Sequence, residues 1–204
     1  MRMLLVTGVL AALTPLAARG EDKKDAPKAA DLPVKAKLVA KKTTYTLDLG
    51  GKTADEFRKL IKDAEKGGRL PPAPAVDMSL EITNTSDKEI QIWSKGDPVQ
   101  LELMLTGAGA VNAKPLLAFT TDFRAPVPMT LAPGKSLTIP ITNLVYGFRG
   151  ASEMSYWTEP GEYKLAASYK TGIQPPPKGS TVNDRFGVVT IPAEPITIKI
   201  EAAK

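Results

Sequence analysis

The side chains able to do chemistry in this sequence are mainly carboxylates and aromatic rings, because the 204-residue chain contains no histidine and no cysteine. Without those two residue types the chain cannot build Ser-His-Asp triads, Cys-His dyads, imidazole or thiolate metal sites, or disulfide frameworks. Paired carboxylates can still perform acid-base catalysis. Six acidic residues fall in or near predicted turns: Asp77, Asp97, Asp122, Glu153, Glu159 and Asp184.

The spacing of these six acids matches no catalytic motif, and no Asp-x-Asp ladder marks a calcium loop. Acidic side chains in the turns of a β protein usually stay solvated or cap the turn. We therefore predict a protein that is not an enzyme, with no catalytic residue, no metal site and no cofactor. A carboxylate-based enzyme and a calcium ion held by loop carboxylates are the alternatives.

Three aromatic residues form the candidate binding site, namely Trp93, Tyr156 and Trp157. Trp93 follows an isoleucine taken as inward-facing, so its ring is expected to point outward at the end of a strand. Tyr156 and Trp157 end an aromatic segment, residues 143–157, that is expected to be an irregular loop. Rings exposed near one another would make a flat platform for a sugar ring or a partner protein. Alternatively, Trp157 packs over the core beside Tyr163, and Trp93 covers a sheet edge.

Alternating apolar and polar residues indicate the strands that must position these rings. The clearest run has Val76, Met78, Leu80 and Ile82 on one face. Two further strands follow within about 30 residues after short turns, which predicts three antiparallel neighbours. Across the chain the pattern gives about seven to nine short strands, the signature of an all-β, two-sheet Greek-key sandwich. The last strand is expected to break at residues 192–195, which contain two prolines.

One segment departs from the strand period. Thr53 and Glu56 have the spacing of a capping box, apolar residues then repeat at helical spacing, and Gly67-Gly68 supplies a stop. The prediction is a short inserted helix at about 53–66 that packs as a lid on the edge or end of the sandwich. A partner-binding helix is the alternative.

The turn Pro160-Gly161 leads into a strand that begins near Tyr163. An acidic residue, a glycine two before the tyrosine and an apolar residue two after it are typical of the tyrosine corner of Greek-key sandwiches. The alternative is an ordinary strand after an ordinary turn.

The N-terminus predicts export. Residues 1–20 have a positive start, a short apolar run and small residues at the end, which is the pattern of a signal peptide. Residues 21–33 are expected to form a flexible charged linker, and residues 34–204 the sandwich domain. No later apolar run is long enough to span a membrane. The net charge of +5 is scattered among few aromatics, which argues against nucleic-acid binding.

Three segments together resemble landmarks of bacterial exported immunoglobulin-like domains, the BsuPI-type proteinase-inhibitor domain in particular: residues 80–88, residues 131–136 and residues 160–163. The resemblance implies an immunoglobulin-like fold. The resulting hypothesis is a secreted or periplasmic, non-catalytic binding or accessory module. Its expected partner is a protein or polysaccharide of the cell envelope. An exported proteinase inhibitor and a carbohydrate-binding module are the alternatives.

Overall fold

The computed structural model describes residues 31–114, 122–148 and 151–203. The predicted signal peptide and residues 21–30 of the predicted linker lie outside the described residues. The sequence also predicts a short strand at 116–121, which lies outside them too. Leu32 lies within them and is buried in the core. The predicted linker is therefore too long at its C-terminal end, because packing already begins at Leu32.

The chain folds as the predicted all-β immunoglobulin-like sandwich with one inserted helix. The described residues contain thirteen strands, more than the predicted seven to nine, because segments expected to be loops pair as short strands. The elements are β1 Val34–Ala40, β2 Thr44–Thr46, α1 Ala54–Ala64, β3 Ala75–Asn84, β4 Ile90–Lys95, β5 Gln100–Thr106, β6 Ala110–Ala113, β7 Val127–Leu131, β8 Ser136–Asn143, β9 Val145–Phe148, β10 Ala151–Trp157, β11 Gly161–Gln174, β12 Thr181–Asn183 and β13 Phe186–Glu201.

Two strand pairs are linked by the buried side chain of Asn84. β3 pairs with β8, and β4 pairs with β7, so the chain leaves one pair after β3 and returns to it at β8. The side-chain amide of Asn84, the last residue of β3, donates to the carbonyls of Lys88 at 2.8 Å and of Leu131 in β7 at 2.9 Å. The described strands belong to one hydrogen-bonded sheet.

The predicted meander of β3, β4 and β5 is wrong. β3 pairs with β1 and β8, whereas β4 and β5 both pair with β11, one after the other along its length. Ile92 of β4 lies opposite Ile173, and Gln100 of β5 lies opposite Lys170. β4 and β5 therefore run in the same direction along β11, and the turn at Gly96 between them does not reverse the chain.

β11 and β13 form the long central pair, with 14 and 16 residues. β13 continues through Pro192, so the predicted break is wrong. The prolines lie next to a register shift between Leu165 and Ala167 of β11. β13 also changes partners on its other side, from β12 to β1 and then to β2. Proline, which has no N–H group to donate, is tolerated in a strand where the pairing changes.

One main apolar core joins the strands, and it includes Leu80, Ile92, Leu165 and Ile198. The tyrosine corner is confirmed, since the Tyr163 hydroxyl donates to the carbonyl of Glu159 at 2.7 Å. Within the described part of the chain, no helix has the length and apolar character needed to cross a membrane.

The inserted helix is confirmed with its capping box. The Thr53 side chain accepts from the Glu56 N–H, and the Glu56 carboxylate accepts from the Thr53 N–H at 2.9 Å. The buried face of α1 packs with Ala113 of β6 and Tyr156 of β10 in a second, smaller apolar cluster. Tyr156 lies opposite Val111 in the pairing of β10 with β6, and both pack in this cluster, so the helix packs on one face of the strand pair at the end of the sheet path.

Candidate functional site

Trp93 is not exposed, and this part of the prediction is wrong. Its side chain is only 2% exposed and packs against Phe186, with ring centroids 4.8 Å apart. Ile92 and Trp93 pair in unbroken register with Met129 and Pro128, so their side chains lie on opposite faces of β4. Ile92 belongs to the main core, and Phe186 covers Trp93 on the other face. Gly172 lies under the indole ring, and its missing side chain leaves the space that the ring fills.

Tyr156 and Trp157 are also buried, with 1% and 4% exposure, so the three rings form no open platform. The segment expected to be a loop is the hairpin of β9 and β10. Successive residues of a strand point to opposite faces. Tyr156 therefore meets Phe57 of the helix edge to face at 5.8 Å, while Trp157 stacks on Tyr45 at 5.4 Å.

These two rings nevertheless meet at one concave surface, with a cavity volume of about 340 Å³. It lies between β2, the helix, the proline-rich connector before β3 and the end of β10. We call it the aromatic groove, and its lining residues are Tyr45, Thr46, Asp48, Phe57, Pro72, Ala73, Pro74, Ala75, Tyr156 and Trp157.

Hydrogen bonds to the backbone hold the groove in shape. The Tyr156 hydroxyl donates to the carbonyl of Pro71 at 2.7 Å, which fastens the connector to β10. The Leu144 N–H donates to the carbonyl of Pro74 at 3.1 Å. On the other wall, the Tyr45 hydroxyl donates to the carbonyl of Lys42 at 2.7 Å. The walls are thus preformed by the fold.

The groove tyrosines are not nucleophiles at ordinary pH. Burial raises the pKa of Tyr156 to about 12, and burial is also the main cause that raises the pKa of Tyr45. Both hydroxyls stay protonated and are engaged by backbone carbonyls. They contribute shape and apolar surface.

Two polar side chains at the rim are available to a ligand. Thr46 and Asp48 are both exposed, and from the described residues the Asp48 carboxylate accepts only a local bond, from the Gly50 N–H at 2.9 Å. The alternation of the segment around Tyr45 places them on the solvent side of the predicted strand. That alternation was a usable signal, but nothing in the sequence shows that the strand borders a groove.

Three of the acidic residues considered for catalysis pair with separate basic side chains. Asp77 pairs with Lys41 at 3.5 Å, and Glu153 pairs with Lys114 at 3.3 Å. Glu159 pairs with Arg58 of the helix. Among residues 31–114, 122–148 and 151–203, no three acidic side chains gather as a possible metal site.

The comparisons with known proteins give no family. No protein-family model matches the sequence, and no curated protein matches it. One similar solved structure is native alpha-2-macroglobulin from Escherichia coli, spanning domain MG7 to the C-terminus, with 13% identity and a TM-score of 0.34. The match covers 84% of this chain and 17% of that one. A likeness this low carries no argument about function, and the BsuPI-type resemblance stays a prediction.

Proposed function

We propose that the protein is an exported, non-catalytic binding or accessory module that holds an extended segment of an envelope protein in the aromatic groove. The observation that carries the proposal is the preformed cavity of about 340 Å³ between aromatic and proline side chains. Ligand sites are typically concave and carry a few polar groups that fix the orientation of the ligand, and Thr46 and Asp48 supply such groups at the rim of this groove. Export rests on the sequence of residues 1–20.

The strand beside the groove favours a peptide. β2 pairs with β13 on one side, and no described strand pairs with its other side. An extended peptide can add to such a free edge through backbone hydrogen bonds while its side chains enter a neighbouring groove. Thr46, the last residue of β2, lines the groove directly.

An envelope polysaccharide, the other predicted partner, suits the aromatic groove less well. Sugar recognition by aromatic side chains uses an open ring face, and the rings of Tyr156 and Trp157 are almost completely covered. The groove therefore presents the edges of its aromatic rings and the surfaces of its prolines to a ligand.

The test uses a variant that blocks the groove without touching the core. Thr46→Arg places a long charged side chain at the rim, and Thr138→Arg is its matched control, since Thr138 is an exposed threonine on edge strand β8 opposite Glu81. Proteins of the native envelope fraction are captured on immobilised wild-type protein, and the bound segment is located with overlapping synthetic peptides.

Affinity is then measured by the fluorescence of Trp157 in a Trp93→Phe background, which leaves Trp157 as the single tryptophan. We expect Thr46→Arg to weaken peptide binding by roughly tenfold or more, because the new side chain clashes with the ligand. Thr138→Arg should bind as the parent does. Equal peptide affinity of the two variants would show that the peptide does not bind in the aromatic groove.

The proteinase-inhibitor alternative rests on the resemblance in three segments. Activity assays of a serine-protease panel with micromolar protein test it separately. Inhibition by both wild type and Thr46→Arg would favour that alternative over the peptide-binding proposal.

A further inference from the structure

A second concave surface lies on the outer side of strands β5, β9, β10 and β11, with a cavity volume of about 360 Å³. It shares no lining residue with the aromatic groove. We call it the polar cleft, and the side chains that define its chemistry are Glu102, Met104, Lys114, Tyr146, Glu153 and Ser168.

The concavity follows from the pairing of large and small residues across two strands. Glu102 lies opposite Ser168, and Met104 lies opposite Ala166. The long side chains of β5 therefore stand beside a floor of small residues on β11. The Met104 side chain is 51% exposed, an unusual position for a large apolar residue, and it gives the cleft an apolar wall.

The opposite wall of the polar cleft includes the polar side chain of Tyr146. Tyr146 is buried and lies opposite Glu153 in the pairing of β9 with β10. Ser155 and Glu153 are polar side chains that influence its hydroxyl, and Ser155 donates to the Asn112 side chain at 2.6 Å. The Asn112 amide is itself fixed by two bonds to the backbone of Leu105. Burial is the main cause that raises the pKa of Tyr146, so the hydroxyl stays protonated at ordinary pH.

Charges of both signs face the cleft. Lys114 pairs with Glu153 at 3.3 Å, and Glu102 accepts from the Ser168 hydroxyl at 3.3 Å. Glu102 has no ion-pair partner among the described residues. Two exposed or half-exposed lysines, Lys164 and Lys170, share the outward face of β11 with Ser168.

We propose that the polar cleft is a binding site for a neutral saccharide. Each sugar hydroxyl both donates and accepts, and the cleft supplies carboxylate acceptors together with ammonium and hydroxyl donors. Met104 offers an apolar contact to the C–H groups of a sugar ring. The two carboxylates disfavour an anion, while Lys114 and the flanking lysines disfavour a polyvalent cation. The proposal is independent of peptide binding in the aromatic groove.

The test observes methionine methyl groups by NMR in protein labelled with ¹³C at that position. Met104 reports on the cleft, Met129 is an exposed reporter on β7, and Met78 is a buried reporter of folding. The probes are cellobiose, maltose and N,N′-diacetylchitobiose, with spermidine and citrate as charged comparisons. We expect at least one disaccharide to shift the Met104 signal saturably and leave Met129 and Met78 unchanged.

Two variants link that shift to the cleft. Glu102→Gln and Glu153→Gln should each weaken disaccharide binding by about tenfold, because each replaces a charge-assisted hydrogen bond with a neutral one. Glu89→Gln, at an exposed turn position, is the matched control and should bind as wild type. The unchanged Met78 signal shows that each variant is folded.

Three outcomes overturn the proposal: no shift of Met104 with any of the three disaccharides, a shift with spermidine or citrate alone, or disaccharide binding that both glutamine variants retain in full. Loss of peptide binding in the groove variant Thr46→Arg leaves the saccharide result unaffected, so the two proposals fail separately.

Discussion

At the scale of single residues, Tyr163 links the end of one hairpin to the start of the central strand β11. Its hydroxyl donates to the Glu159 carbonyl at 2.7 Å, and its ring lies over Gly107 and Gly109. A Cβ atom at Gly109 would stand 2.5 Å from the Tyr163 hydroxyl and 2.7 Å from the Glu159 nitrogen. The glycines after β5 are therefore explained by the packing of this tyrosine.

Replacing Tyr163 with Phe removes the hydroxyl and keeps the ring. We expect the free energy of unfolding to fall by about 1 kcal/mol, the net value of one such hydrogen bond. Gly109→Ala should cost about 1 to 3 kcal/mol, because the added methyl group overpacks a closed site. Urea denaturation followed by circular dichroism measures both. Wild-type stability in Tyr163→Phe would show that the corner bond contributes nothing.

Trp93 gives a second prediction at this scale. A methyl group at Gly172 would collide with the Trp93 indole, so Gly172→Ala should lower the free energy of unfolding by about 1 to 3 kcal/mol. Trp93→Leu frees that space, and the double variant should be more stable than the sum of the two single changes predicts. Additive losses in urea denaturation of all three variants would show that the indole and Gly172 do not compete for this space.

The two residues also show what the sequence could reveal. The tyrosine corner was predicted because all its parts lie within a few residues of one another. The burial of Trp93 was not, because Phe186, which covers its ring, lies far along the chain and no local pattern records the contact. Alternation placed Trp93 on the face opposite Ile92 but did not show that this face is covered.

At the scale of elements, the inserted helix was predictable and its packing partner was not. The capping box and the helical spacing are local signals, whereas the contact with Ala113 and Tyr156 joins segments far apart in the sequence. For the same reason the strands were largely found while the order of β3, β4 and β5 was missed. Short connections predict neighbours, and here the strand after the connection at Asn84 pairs with β7 and β11 instead of β3.

Adjacent residues of α1 give a matched test of that packing. Ile61 is 1% exposed and Leu60 is 39% exposed. We expect Ile61→Ala to lower the free energy of unfolding by about 2 to 4 kcal/mol through lost burial and a residual cavity. Leu60→Ala should cost less than about 1 kcal/mol. Thermal and urea unfolding compare the two. Equal losses would show that the helix is not anchored through Ile61.

At the scale of the whole molecule, the titration behaviour is set by which residues are missing and which are buried. With no histidine and no cysteine, no side chain has an ordinary pKa between about 5 and 8. All five tyrosines have raised pKa values, with burial as the first cause in each. For Tyr156 and Tyr169 burial raises the pKa to about 12.

The protein should therefore be almost equally stable from about pH 6 to pH 9 and lose stability above pH 10. An unfolded tyrosine ionises near pH 10, so above that pH the folded state holds more protons than the unfolded state, and stability falls as pH rises. The contribution is present below pH 10 and is lost through about pH 12, on the order of 2 kcal/mol for each of Tyr156 and Tyr169.

Urea denaturation at stepped pH measures this loss, and tyrosinate absorbance near 295 nm reports when the rings ionise. Tyr169→Phe is the control variant, because it removes one of the two most shifted groups; its stability should decline less steeply than that of wild type above pH 10. Tyrosines that ionise near pH 10 while the protein is still folded would contradict the burial of these rings.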